Sequence, residues 1–455
     1  MLIYGVFDIW NCINIQVLLA IKVSMCTQIN KHFLFEHLID FFSSWANCGF
    51  KWMSRPIFLL LLLPSCKMLA YLFQPKTEME TTVLKKIWLS PPHMGENEEA
   101  YVKEAFDSNW IAPLGPNVQY FESAIENFIG NDVHVACLSS GTAAIHLGLQ
   151  LLGVGHGDEV ICQSFTFAAT VNPITYLGAS PILIDSERET WNLSPSLVEK
   201  AIKERLAVGK KPKAIVAVHL YGMPYQIEEI HSIARKYEIP VLEDSAEALG
   251  SSYKGIRCGG FGDIGVLSFN GNKIITTSGG GAILCRYQST KEKAVFLATQ
   301  ARDNAPHYQH SHIGYNYRMS NVLAGIGRGQ MEVLEERVNA RRSNFQYYKE
   351  QLSSISGISF LEEPDGIYSN RWLTCVLTPS FKIRETLRQA LENENIESRP
   401  LWKPMHLQPV FDKTIAYVNG VSEELFQKGL CLPSGSSLQE DDLERICNIV
   451  KSVLK

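Results

Sequence analysis

Between residues 130 and 290, short apolar runs alternate with longer stretches of helical spacing. The runs at 134–138, 159–163, 181–185, 214–220, 240–243, 266–269 and 282–285 have the length and apolar content of buried strands. Residues 143–152, 168–176, 195–204 and 227–237 read as the intervening helices, with Ser194 as an N-cap and Pro195 in the first turn. Strands buried on both faces and joined by helices predict an α/β fold with a mostly parallel central sheet. From Ser320 the pattern changes. A long helical stretch at 321–352, a strand candidate at 369–376, a helix at 383–393, a Pro- and Trp-rich loop at 399–406 and a last helix at 440–454 predict a smaller C-terminal α+β domain. The expected division is therefore an extension at 1–86, a large α/β domain at 87–325 and a small domain at 326–455.

In sheets of this kind, ligands bind beyond the carboxyl ends of the strands. That rule singles out residues 140–142, 165–167, Asp185, Tyr221, 244–247 and 270–273 as the places to look for chemistry.

The first 86 residues do not share this patterning. Residues 1–75 hold thirteen aromatics but three acidic side chains, Asp8, Glu36 and Asp40. Their densest apolar run, 57–63, has seven residues, far short of the ~20 needed to span a bilayer. Leu63-Pro64-Ser65-Cys66 has the look of a lipoprotein cleavage box, which belongs at the start of a chain. Three readings fit: a translated upstream region with the start at Met79 or Met68, a membrane-associating or targeting extension, or an accessory domain.

Composition narrows the class. The chain has 455 residues, 46% hydrophobic and 20% charged, which suits two or three domains and argues against disorder. With 42 basic against 47 acidic side chains, the net charge of −5 offers no footprint for nucleic acid. Eleven cysteines without paired CxxC spacing read as mostly buried thiols in a reducing compartment, and no His/Cys or His/Glu cluster has metal-ligand spacing.

Three features then combine. Ser139-Ser140-Gly141-Thr142 opens a helix directly after a strand, where free N–H groups and the helix dipole can cradle a phosphate; alone, it reads more readily as an ordinary N-cap. Asp244 ends a strand in Val241-Leu242-Glu243-Asp244, where a buried carboxylate can pair with a cationic ring nitrogen or cap the next helix. Lys273 lies between an apolar strand and the turn Ser278-Gly279-Gly280-Gly281, placed for the partial desolvation that makes an amine nucleophilic. Cradle, carboxylate and lysine are the parts that a pyridoxal phosphate site needs. A competing motif, Gly260-Phe261-Gly262-Asp263-Ile264-Gly265, matches the dinucleotide fingerprint GxGxxG in letters. It follows a polar stretch and precedes a strand, which is the wrong context for that fingerprint.

Beyond these features, Leu89-Ser90-Pro91-Pro92-His93-Met94-Gly95, Ser108-Asn109-Trp110-Ile111-Ala112-Pro113-Leu114-Gly115, the run from Ser268 to Gly281, Gly314-Tyr315-Asn316-Tyr317-Arg318 and the 399–406 loop carry a family resemblance. From about Ile87 onward the chain resembles the DegT/DnrJ/EryC1/StrS sugar aminotransferases of the fold-type I pyridoxal phosphate class. Within them it is similar to the UDP-4-amino-4,6-dideoxy-N-acetylglucosamine transaminases and to exopolysaccharide-operon aminotransferases of bacilli. A dehydratase branch of the family has His in place of Lys273.

The resemblance implies pyridoxal 5'-phosphate as cofactor, with Lys273 attached to it and later moving a proton, and Asp244 at the ring nitrogen. Glu247 would face the ring hydroxyl, Phe167 would stack on the ring, and Gly141, Thr142 and Ser268 would hold the phosphate. Asn316 would reach the cofactor of a neighbouring subunit, which implies a homodimer with shared sites. The substrates would be L-glutamate and a UDP-4-keto-6-deoxy-N-acetylhexosamine, in a cytoplasmic reaction with no membrane partner for 87–455. The sugar nucleotide would lie against Asn109, Trp110, Ile111, Ala112, Gly141, Ser268, Arg318, Arg399, Trp402 and His406. Arg318 and Arg399 suit a diphosphate as permanently charged forks, and Trp402 offers apolar surface.

Overall fold

The computed structural model describes residues 85–130 and 132–454; the expectations for the N-terminal extension up to residue 84 lie outside it. Its strands, in chain order, begin with β1 (His134–Leu138), β2 (Glu159–Gln163), β3 (Ser180–Ile184), β4 (Ala214–Val218) and β5 (Val241–Asp244). The short pair β6 (Ser252–Tyr253) and β7 (Ile256–Arg257) precedes β8 (Ile264–Ser268) and β9 (Gly281–Cys285). The remainder are β10 (Ser359–Phe360), β11 (Ile367–Tyr368), β12 (Thr374–Leu377), β13 (Arg399–Pro400), β14 (Ile415–Tyr417) and β15 (Gly429–Leu432).

Eight of these form one sheet in the order β1-β9-β8-β5-β4-β2-β3-β14. Only β9 runs against its neighbours β1 and β8; the pairings β8–β5–β4–β2–β3–β14 are all parallel. Strands β2 and β4 are buried along their whole length, as their continuous apolar runs require. Two clusters cover the two faces. Ile145, Leu147, Val171 and Ile174 from helices pack with Leu183, Val216 and Leu242 on one side. Val198, Ile202, Ile227 and Ile230 pack with Ile161, Ile182 and Ile215 on the other.

A second layer is a four-stranded antiparallel sheet, β10-β12-β15-β13, under the helices Leu334–Leu352, Phe381–Asn393 and Glu440–Leu454. The architecture matches the expected one, a large, mostly parallel sheet with a smaller α+β layer.

Three local differences from the sequence reading have physical causes. The 321–352 stretch is two helices, Asn321–Glu332 and Leu334–Leu352, divided at Val333 (φ −107°, ψ 5°). The first of them is studded with glycine and lies against the helices Glu98–Asp107 and Pro116–Ile129; a Cβ on Gly327 would come within 2.6 Å of the Phe121 ring. Ser194 does precede its helix, but its hydroxyl meets Ser196 rather than a backbone N–H, so Pro195 sets that start.

The third difference concerns β14, which returns from the C-terminal part of the chain to the edge of the large sheet. Asp185, at the end of β3, anchors it. Its carboxylate accepts the N–H groups of Ser186, Asn419, Gly420 and Ser422. Burial opposes that charge, but these bonds hold the carboxyl below its ordinary range. Asp185 is thereby a structural anchor and not part of the chemistry.

Candidate active site

The carboxyl ends of β1, β2, β4, β5 and β8 open onto a cavity of about 310 Å³. Of the six positions that the strand-end rule singled out, four contribute to its wall: Ser140, Gly141 and Thr142 after β1, Thr166 and Phe167 after β2, Asp244 and Glu247 at and after β5, and Asn270, Asn272 and Lys273 after β8. Thr170, Ser268, Trp372 and Trp402 also face it. A larger cavity of about 750 Å³, beside His231, Arg235 and Arg286, lies at the opposite ends of β1 and β8.

Ser140 caps the helix Gly141–Leu151, accepting the Ala143 N–H at 3.0 Å. The N–H groups of Gly141 and Thr142 have no helical acceptor and face the cavity rim as an anion cradle. The cradle is tight. A Cβ on Gly141 would lie 2.9 Å from the Ser268 Cβ, and one on Gly281 would lie 2.4 Å from the Ser140 carbonyl carbon.

Alternation along β5 sends Asp244 and Glu243 to opposite faces. Asp244 points into the cavity, is 3% exposed, and accepts from the Thr170 hydroxyl at 2.8 Å and the Ala246 N–H at 3.1 Å. Burial pushes its carboxyl above the ordinary range, against those bonds and the charge of Lys273. A carboxylate so enclosed, short of a cation at its other edge, fits a protonated ring nitrogen. Glu243 meets the glycine-rich loop instead. The N–H groups of Gly259, Phe261 and Gly262 donate to it at 2.5, 2.7 and 2.8 Å. Thus the segment resembling a dinucleotide fingerprint cradles one of the chain's own carboxylates. His219, whose Nδ1 accepts the Tyr225 N–H, donates from Nε2 to the same carboxylate at 2.7 Å. The buried trio His219, Glu243 and Cys258 is close enough for a metal by distance, but Glu243 already has five donors, including the Ser245 hydroxyl.

Lys273 reaches the cavity with its Nζ 3.5 Å from Glu247 and 4.3 Å from the centre of the Trp372 ring. Burial raises the Glu247 carboxyl as well, offset in part by Lys273. Its second oxygen accepts the N–H of Tyr221 at 2.7 Å. Tyr221 is a buried non-glycine residue in the left-handed region (φ 55°), and its hydroxyl accepts the Trp402 N–H at 2.8 Å. Such a conformation costs of the order of 1 kcal/mol and is retained where surrounding structure over-determines it. Here it ties Glu247 and the Trp402 loop to one residue.

Phe167, 55% exposed, stands at the mouth with its ring 5.9 Å from that of Trp402. The cavity therefore brings together Gly141, Thr142, Phe167, Asp244, Glu247, Ser268, Lys273 and Trp402.

Other expected site residues lie elsewhere. Arg318 is not a free fork: it is buried, donating to Glu122 at 2.7 Å and to the Cys137 carbonyl at 3.0 Å. Asn109, Trp110, Ile111 and Ala112 lie over the start of the helix Asn321–Glu332, where Asn321 bonds the carbonyls of Trp110 and Ala112. Arg399 is exposed and paired with Glu397, and His406 bonds Ser164 and Glu423 below the Trp402 loop. Asn316 is exposed beside its bridge partner Thr299. Tyr221, singled out only as a strand-end position, and Trp372, not singled out at all, are the additions from the structure.

The comparisons agree with this geometry. Residues 92–451 match the model of the DegT/DnrJ/EryC1/StrS aminotransferase family. The chain is 52% identical over 370 residues to "Putative pyridoxal phosphate-dependent aminotransferase EpsN" of Bacillus subtilis, covering 80% of this chain and 95% of that protein. It is 37% identical over 369 residues to a GDP-perosamine synthase of Escherichia coli O157:H7, covering 81% and 98%. Among solved structures, a DegT DnrJ EryC1 StrS aminotransferase from Brucella abortus superposes with a TM-score of 0.74 at 27% identity, covering 79% of this chain and 95% of the other. The chain belongs to the DegT/DnrJ/EryC1/StrS family and is a pyridoxal phosphate-dependent sugar aminotransferase.

Proposed function

We propose that the protein transfers the amino group of L-glutamate to C4 of a UDP-4-keto-6-deoxy-N-acetylhexosamine, in the cytoplasm, for glycan or polysaccharide precursor synthesis. The observation that carries the chemistry is the convergence of Lys273, Asp244 and the Gly141 helix start on one cavity at the strand ends. The sugar rests on the resemblance of the sequence motifs to those of UDP-amino-sugar transaminases, and the 52% identity to EpsN supports the aminotransferase reaction alone. A second reading, a GDP-linked keto-sugar, is favoured by the likeness to GDP-perosamine synthases.

In this reading, pyridoxal phosphate supplies an electron sink for proton removal from carbon. The chain's own groups do the rest. Gly141, Thr142 and Ser268 bind phosphate. Asp244, kept anionic by a cationic partner, orients the ring edge. Glu247 faces the Lys273 amine, and Lys273 would move the proton between the bound cofactor and the donor or acceptor carbon. Phe167 and Trp402 exclude water at the mouth. Asn316, exposed on its segment, serves the site of a second copy in a homodimer.

The experiment is a spectrum of the full chain loaded with cofactor, followed by addition of glutamate and then of UDP-, GDP- and dTDP-linked 4-keto-6-deoxy sugars in competition. The visible band is expected to bleach with glutamate and to return most rapidly with the UDP-N-acetyl sugar. Preferential return with a GDP sugar would replace the first reading by the second. Lys273→Ala should lack turnover, and normal multiple-turnover rates in that variant would refute the site.

A further inference from the structure

Trp372 is 1% exposed and has each of its polar groups engaged. Its N–H donates to the Asn370 side-chain oxygen at 2.9 Å, and its carbonyl accepts from Arg341 at 2.7 Å. The indole Nε1 donates at 2.7 Å to the carbonyl of Asn272, the residue before Lys273. That carbonyl also accepts the Ser90 hydroxyl at 2.7 Å, and Ser90 is itself held by Arg341 at 3.0 Å. The other arm of Asn370 donates to the carbonyls of Glu247 and Leu249, so the same bracket fixes the Glu247 segment. Gly222 is what lets Asn370 sit there: a Cβ at that position would fall 1.9 Å from its side-chain oxygen.

The indole is therefore fixed through Nε1 and through its own backbone, and its face is presented to the Lys273 Nζ at 4.3 Å. An ammonium over a buried indole face is held electrostatically by the ring quadrupole. The contact is directional, because the same indole pins the backbone from which the lysine side chain springs.

We propose that Trp372 is the positioning residue of Lys273, its indole N–H fixing the Asn272 carbonyl and its ring face holding the lysine Nζ whenever the lysine is not attached to the cofactor. The inference rests on the assignment of Lys273 as the cofactor lysine. It adds a function for an aromatic residue that comes from a different layer of the fold.

The test uses 4-fluoro-, difluoro- and tetrafluorotryptophan placed at position 372 of the full chain, which keep the N–H and nearly the volume while weakening the negative face. W372F and W372L accompany them. In cofactor-free protein, acetylation of Lys273 by acetic anhydride is followed by peptide mass spectrometry, with Lys200 as an exposed internal reference. Labelling of Lys273 is expected to rise stepwise with fluorine count and to reach at least threefold in W372L, with W372F between. Labelling that stays within twofold across the fluorinated series overturns the proposal, whether or not W372L folds.

In loaded protein, the single-turnover rate with glutamate should fall at least tenfold in W372L, with a larger isotope effect for α-deuterated glutamate and glutamate affinity within twofold. An unchanged isotope effect, with loss confined to cofactor content and thermal stability, would assign Trp372 a purely structural part and refute the proposal. Borohydride reduction and peptide mapping of the loaded wild type separate the two layers of argument. Cofactor mass on another lysine would remove the Lys273 assignment, while the labelling series still reports on the indole contact.

Discussion

Gly141→Ala adds one methyl inside the anion cradle at the start of its helix. The added Cβ would stand 2.9 Å from the Ser268 Cβ and 3.2 Å from its hydroxyl oxygen. Apolar carbons in contact prefer a separation of about 3.5 Å or more, so the helix start and β8 must part by about 0.6 Å. Little there can yield. Ser268 is in register with Gly281 on β9, and Gly281 in turn abuts the backbone of Ser140. Overpacking of this kind costs about 1–3 kcal/mol. Against it stands the intrinsic preference of a helix for Ala over Gly, at most about 1 kcal/mol and less in the first turn. Overall stability should therefore fall by no more than about 2 kcal/mol, while the cradle opens.

If the full strain appears on binding, cofactor affinity drops on the order of 5- to 100-fold. The assay is fluorescence titration of cofactor-free protein with pyridoxal phosphate, beside thermal scans at two cofactor concentrations. A double-mutant cycle makes the reasoning specific. Ser268→Ala keeps the clashing Cβ and should give no relief. In a Ser268→Gly background, Gly141→Ala should cost less than about half its effect in the wild type. Equal costs in both backgrounds, or wild-type affinity in Gly141→Ala, would refute the contact as the cause.

Asp244→Asn should have opposite effects on two forms of the protein. Because burial raises the Asp244 carboxyl in the folded chain, its contribution to stability is greatest below the unfolded carboxylate range and is lost as pH rises through the folded value. Urea titrations of cofactor-free protein should accordingly find Asp244→Asn more stable than wild type at neutral pH, while transamination falls on the order of 100-fold or more.

Asp185→Ala strands four N–H groups, those of Ser186 and Ser422 in buried bonds, and should cost about 3–5 kcal/mol. Since this carboxyl is held low, its stabilising effect should be present at neutral pH and lost only on acidification. Hydrogen exchange at 419–422 and the melting temperature measured against pH check both statements. Arg318→Met leaves Glu122 without its closest cation and should lower the melting temperature by several degrees. Its KM for the sugar nucleotide should stay within about threefold, and a KM rise without loss of stability would return Arg318 to the substrate.

The large sheet was legible because burial on both faces writes itself locally: β1 and β2 fall at the residues that their apolar runs predict. The strand-end rule carried that legibility into chemistry, since Gly141, Asp244 and Lys273 each follow a strand within a few residues. Contacts between distant segments leave no such trace. Strand β14 is three half-exposed or exposed residues whose only strand credential is a parallel pairing with β3, more than two hundred residues earlier. Arg318 reads as a free fork until Glu122, far off in sequence, occupies it.

Trp372 is the extreme case. Its own segment marks it as one more buried aromatic, and its bearing on Lys273 arises only because Arg341, Ser90 and Asn272 come from three other stretches of chain and bond to it or to one another around it. A site built at strand ends is written in the strands. The groups that hold such a site in tune are written in the packing of one layer on another, and there they must be sought by following hydrogen bonds outward from the reactive atom.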